Sequence, residues 1–213
     1  MSTLPSHLEL VQGIVLPKPV GADPVLDFLN TRADFAGRGP AASEWLTSYE
    51  AFVIWNGYVG LLSDASVFRL IEQAAGKPTD ASRRLDAVRE FQADLYDVLT
   101  DDVLTDEAAA GSFDAVARAV DRATARRHLS PVPTDGLGVR AVWELPEDLG
   151  MPLDQLALLA SELLTGTARD HVRLCPGDNC GWLFLDPRGR RRWCSMATCG
   201  NRAKVRAHAA RTR

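Results

Sequence analysis

All four cysteines of the 213-residue chain, Cys175, Cys180, Cys194 and Cys199, fall within its last 39 positions, spaced C-x4-C-x13-C-x4-C. No other feature restricts the fold so tightly. A segment this short buries too little apolar surface to fold alone and needs a staple. Two disulfides or a metal would serve. The start, Met1-Ser-Thr-Leu-Pro-Ser-His7, lacks a basic stretch followed by an apolar core, so a cytoplasmic location is expected. In that compartment paired thiols signal a metal, and four thiolates suit one tetrahedral Zn2+ ion. Its expected role is structural, because four protein ligands leave no open position for catalysis.

Charge divides along the same line. The net charge of −4 hides ten Lys and Arg against two Asp in residues 172–213, while residues 1–171 carry a net −12. Four thiolates around Zn2+ leave a formal −2, so two arginines can be absorbed as counter-charge. The remainder is still strongly cationic, which suits a polyanion. The candidate nucleic-acid contacts are Arg188, Arg190, Arg191 and Arg192 before the third cysteine, and Arg202, Lys204, Arg206 and Arg211 after the fourth. Arg bridges phosphate oxygens or the guanine edge. Trp193, between basic residues and a ligand, reads as core rather than as a base-stacking ring. The alternative is a zinc-stabilised protein-interaction module, or an RNA binder, without direct DNA binding.

Trp182 to Leu185 reads as a strand after the first cysteine pair, with Trp193 as its return partner. From Cys199 onward the chain reads as a helix whose Ala203, Ala207 and Ala210 form a small-residue seam facing the metal core. A knuckle, a hairpin and a helix carrying the last ligand together make a treble clef. The run Arg191-Arg192-Trp193-Cys194-Ser195-Met196, then Cys199-Gly200-Asn201-Arg202 and Lys204, resembles the CGNR zinc finger. That resemblance implies DNA binding. In bacterial proteins this finger follows an ABATE domain, proposed to sense a ligand in stress-induced transcription regulators. Leu26-Asp27-Phe28-Leu29-Asn30-Thr31 is similar to that domain's opening motif.

The expected fold class is α+β: a mainly helical N-terminal domain with a few strands over residues 1–168, then the finger over 169–213. Leu10 to Leu16 reads as a strand, and Asp23-Pro24 as a helix start. A loop follows at 36–40, then a helix from Ser43 to about Trp55. Another helix begins near Ser63. The strongest periodicity, at Leu85, Val88, Leu95, Val98 and Leu99, opens at Thr79-Asp80. Ser112 is expected to cap the next helix, and a hairpin turns at Asp135-Gly136. An apolar helix covers Leu153 to Leu164. Asn30, Thr31 and Arg32 at the first helix end are candidates for lining a pocket for a small ligand; the bland alternative is that they only terminate the helix. The aromatic run Trp45, Tyr49, Phe52, Trp55 and Tyr58 reads as core or as a homodimer face. No membrane span is expected. No catalytic role is expected either, since the four histidines have no ligand spacing and no nucleophile elbow or phosphate loop is present.

Overall fold

A computed structural model describes residues 4–33, 43–101 and 107–211. They form seven α-helices and eight short strands, every sheet two-stranded, which is the expected α+β class. No helix among them is long and apolar enough to cross a membrane. The chain divides into two compact units, residues 1–63 with 163–213, and residues 64–162. The expected loop at 36–40 lies outside the described residues.

The first unit opens with strands β1 (Leu8–Val11) and β2 (Ile14–Pro17), paired antiparallel. The segment expected as one strand is therefore a hairpin. Gln12 and Gly13 take φ of 48° and 83°, and two consecutive left-handed residues make the tight turn whose twist matches its flanking strands. Apolar alternation continued across the turn and concealed it. Helix α1 (Pro24–Leu29) starts where expected: the Asp23 carboxylate accepts from Val25 N at 2.8 Å, and Pro24 loses no hydrogen bond at the first helical position. Its Val25, Leu26, Phe28 and Leu29 are buried. Strands β3 (Arg32–Ala33) and β4 (Ser43–Glu44) pair next. Ser43 is thus in a ladder, and helix α2 (Tyr49–Tyr58) begins later, capped by Ser48, whose Oγ accepts from Ala51 N at 3.0 Å. Tyr49, Phe52 and Trp55 go into the core.

The second unit holds helices α3 (Asp64–Gly76), α4 (Pro78–Thr100) and α5 (Glu107–Arg126), strands β5 (His128–Pro133) and β6 (Val139–Glu144), and most of helix α6 (Met151–Thr165). The periodic residues of α4 are all buried, with Phe91 among them. They pack against α5, which buries Val116, Ala119 and Ala123. Ser112 does not cap α5. It lies inside the helix, and its hydroxyl donates to Asp97 Oδ2 on α4 at 3.1 Å. The alanines 108–110 are strong helix formers and extend α5 to Glu107. The β5–β6 hairpin forms as expected, in register from His128↔Glu144 to Pro133↔Val139. Arg126 grips both Asp148 oxygens at 2.7 Å and reaches Asp154 at 3.1 Å.

The first unit is completed by β7 (Val172–Leu174), β8 (Leu183–Leu185) and helix α7 (Asn201–Arg211). Strand β8 pairs with β7 and not with Trp193. After Asp186 the chain turns away: its carboxylate accepts from Arg190 N at 2.8 Å, and Gly189 takes φ of 63°.

Residues 20–32 and β8 are interlocked. The Asn30 carboxamide donates to Leu183 O at 2.9 Å and accepts from Leu183 N at 2.9 Å. Leu185 N donates to Gly21 O at 2.9 Å, and the Trp182 indole N–H donates to Arg32 O at 2.9 Å. Asp27 fixes the receiving loop, since its Oδ1 accepts from Val20 N at 2.6 Å and Gly21 N at 2.7 Å. Gly21 is required by close approach: a Cβ there would lie 2.8 Å from the Leu26 Cβ. Replacing Asn30 by Ala orphans a buried N–H and a buried C=O, at a cost of about 2–4 kcal/mol. Urea unfolding of Asn30→Ala against the parent measures that loss.

Candidate metal centre and its basic surface

The cysteine sulfurs converge because each pair sits on a turn with backbone restraints. Cys175 N donates to Trp182 O at 2.8 Å and Cys180 N to Gly177 O at 3.1 Å, closing the first knuckle. Glycine is needed at 177, where a Cβ would stand 2.8 Å from Cys199 Sγ. Cys194 N donates to Cys175 Sγ at 3.4 Å. A π-helical turn over Met196–Gly200 delivers Cys199 immediately before α7.

All four thiols are buried, and their sulfurs lie within 4.8 Å of one another. Cys180 and Cys194 are 3.6 Å apart, and Cys194 and Cys199 3.7 Å. A tetrahedron with Zn–S bonds of about 2.3 Å has edges of about 3.8 Å, whereas a disulfide needs about 2.05 Å. The cysteines are free and the cage fits one zinc ion. Trp182 and Phe184 are buried with the cysteines, and Val20, Trp45 and Trp193 pack against the cluster.

Without a cation the crowded sulfurs share protons. Hydrogen bonds from Cys180 and Cys194 pull Cys175 down to about 2. The bond to Cys175 and burial push Cys180 up to about 12, and sulfur neighbours push Cys194 up as well. A divalent ion replaces those protons and stabilises the thiolates. Arg202 adds positive charge, its Nη2 donating to Cys199 Sγ at 3.0 Å, which raises the Arg202 pKa further.

The cationic residues separate into two groups. Arg191 is tied into the fold: it donates to Leu185 O at 3.2 Å, Val20 O at 2.8 Å and Cys194 O at 2.7 Å, and its guanidinium lies 4.5 Å over the Phe184 ring. Arg202 is tied to sulfur. Arg206 pairs with Asp178 across exposed surface. Arg192 is exposed beside Trp193, 5.4 Å from its ring, and Arg188, Arg190, Lys204 and Arg211 are exposed. The alanine seam of α7 does not enter the core. Ala203 is half-buried, Ala207 and Ala210 are exposed, and Met196 covers the turn instead, its Sδ standing 2.7 Å from where a Gly200 Cβ would be.

Asn30 meets the finger through Leu183, Thr31 Oγ1 donates to Phe28 O at 2.6 Å at the end of α1, and the Arg32 carbonyl receives the Trp182 indole. Three residues have roles here that the sequence reading did not assign: Asp27 stood only in a motif, Trp45 only in an aromatic run, and His7 carried no linear signal. Asp27 organises the Val20-Gly21 loop, and His7 and Trp45 each meet Trp182 edge to face at 6.0 Å between ring centroids and one another at 6.4 Å.

Two family models cover nearly the whole chain. One, ABATE, described as "Putative stress-induced transcription regulator", matches residues 22–167, and the CGNR zinc finger model matches residues 171–212. The chain belongs to the ABATE family. No curated protein matches it. The Cys-Gly-Asn-Arg signature of this ABATE protein now has a physical meaning. Cys199 supplies a sulfur, Gly200 admits Met196, Asn201 Nδ2 reaches Ala197 O at 3.3 Å, and Arg202 neutralises thiolate charge.

Changing Cys194 to Ser should lower bound zinc from about one ion per chain to below a tenth, because three ligands no longer close the site. Elemental analysis by mass spectrometry measures this. Since the Leu183 and Leu185 N–H groups donate to Asn30 Oδ1 and Gly21 O, hydrogen exchange at those two amides should accelerate in the variant.

Proposed function

We propose that this protein is a DNA-binding transcription regulator of the cytoplasm, with the zinc finger touching DNA and residues outside it sensing a small ligand. The observation that carries this reading is the division of the cations. Arg191 satisfies carbonyl acceptors inside the fold and the exposed Arg202 donates to a cage sulfur, while Arg188, Arg190, Arg192, Lys204 and Arg211 are exposed on the same finger. Carbonyl binding by Arg191 and counter-charge by Arg202 account for the first group, and the second remains for an external polyanion. Exposed cations so concentrated displace counterions from a nucleic-acid backbone. Arg206, held only by a surface pair with Asp178, can exchange that partner for a phosphate. Arg191 and Arg202 are positioning residues in this scheme.

A triple variant, Arg188→Ala, Arg190→Ala and Arg192→Ala, should flatten the log–log salt dependence of duplex DNA binding by roughly 3 in slope, about 0.9 per lost phosphate contact. Fluorescence anisotropy at 50–200 mM salt reads the slope, and zinc content should be unchanged. Arg191→Ala should instead lower thermal stability. Absence of binding to duplex DNA at low salt overturns the proposal. That outcome favours the second reading, a finger that holds protein only, which is supported by the bonds β8 already makes to Gly21 and Asn30. Preferential competition by duplex RNA would reassign the nucleic acid.

A further inference from the structure

A cavity of about 680 Å3 opens beside the metal cage within the first unit. One side is aromatic, formed by His7, Trp45 and Trp182; the other is formed by Asn201, Arg202 and Arg206 at the start of α7. Its size falls in the range of small-molecule sites. One zinc ion held at four short bonds stays inside its sulfur cage and leaves most of this volume free. We propose that the cleft binds a small planar aromatic anion, its ring against Trp45 and Trp182 and its carboxylate on the guanidinium groups of Arg202 and Arg206.

The walls specify both halves of that ligand. The two indoles lie 6.0 Å apart, inclined at 66°, and His7 stands edge-on to each. Trp182 is locked by its bond to Arg32 O, while Trp45 is half-buried and keeps indole surface open to the cleft. Fixed rings of this kind take a flat apolar partner in offset or edge-on contact. Opposite them, the Arg202 guanidinium has five N–H donors, and its bond to Cys199 Sγ uses one. Arg206 meets Asp178 in a half-exposed pair that a ligand carboxylate can displace. Among the described residues lining the cavity there is no Asp or Glu; the negative charge at its edge is that of the thiolate cage, on which Arg202 stands, and of Asp178 beside Arg206, whose place a ligand carboxylate takes.

The location connects with the rest of the finger. Arg202 and Arg206 share α7 with Lys204 and Arg211, whereas His7 and Trp45 belong to the N-terminal segment. A ligand bridging them distinguishes states that differ in the placement of α7, and only such a ligand can shift their populations. This inference rests on the ligand-sensing part of the proposed function, shares the site between His7 and Trp45 outside the finger and Trp182, Arg202 and Arg206 within it, and names the ligand class.

Isothermal titration of the full-length zinc-loaded protein with 2-naphthoate tests it, with cyclohexanecarboxylate and 2-naphthylmethanol as the non-aromatic and uncharged counterparts. Saturable 1:1 binding of naphthoate is expected, at least about tenfold tighter than either counterpart. Trp45→Leu and Arg206→Gln should each weaken it about tenfold, with zinc content unchanged. No saturable binding up to about 1 mM, or equal binding by both variants, overturns the proposal. Displacement of naphthoate by single-stranded DNA assigns the cleft to a nucleobase and also overturns it. Duplex DNA binding, measured in parallel, separates the two readings. If naphthoate fails while DNA still binds, the cleft inference alone falls; if naphthoate binds a protein that ignores DNA, the cleft stands and the DNA reading falls.

Discussion

Four sulfurs within 4.8 Å of one another, with Cys194 3.6 Å and 3.7 Å from two of them, make an arrangement that repels itself once ionised and shares protons uneasily when it is not. A divalent cation at the centre removes the conflict, and the surrounding chain is arranged on that premise. Gly177 is small so that Cys199 can close the cage, and a backbone N–H of Cys194 points at Cys175. A guanidinium stands on Cys199. Binding free energy for the ion is therefore folding free energy for the segment around it.

The restraint reaches beyond the cysteines. Cys175 N is bonded to the Trp182 carbonyl, Leu183 follows, and Leu183 is held from both sides by the Asn30 carboxamide. Arg191 links three carbonyls, one of them at Val20, which Asp27 in turn positions. Residues 1–63 and 163–213 consequently form one compact unit; of the eight candidate DNA-contact cations Arg191 belongs to its internal framework, and Arg202 is bonded from the surface to Cys199 Sγ. The others face outward or, like Arg206, hold only a surface partner.

Much of this was legible from local signals. Cysteine pairing is local, because two sulfurs with four residues between them on a turn end near one another. The α4 periodicity and the Asp23-Pro24 start are likewise local, as is the β5–β6 hairpin. The misreadings came where two local signals competed. Ser43 and Ser48 are both acceptable caps, and the one left unpaired by a strand took the role. Ser112 resembles a cap, yet the alanines before it extended the helix. Gln12-Gly13 is a weak turn signal inside good strand alternation. Trp193 lost its expected pairing to β7, which lies before the first cysteine and outside the window in which a hairpin would be sought.

The sequence by itself determined the metal, its ligands, the helical periodicities and the concentration of positive charge, since each is a property of residue type and short-range spacing. Only the tertiary structure decided which cations are tied inward, why Asp27 and Asn30 matter, and that His7, Trp45 and Trp182 share a cleft with Arg202 and Arg206. Those outcomes depend on hydrogen bonds and ring contacts between positions some 150 residues apart, and the free energy of such a contact exists only after the chain has closed the loop between them.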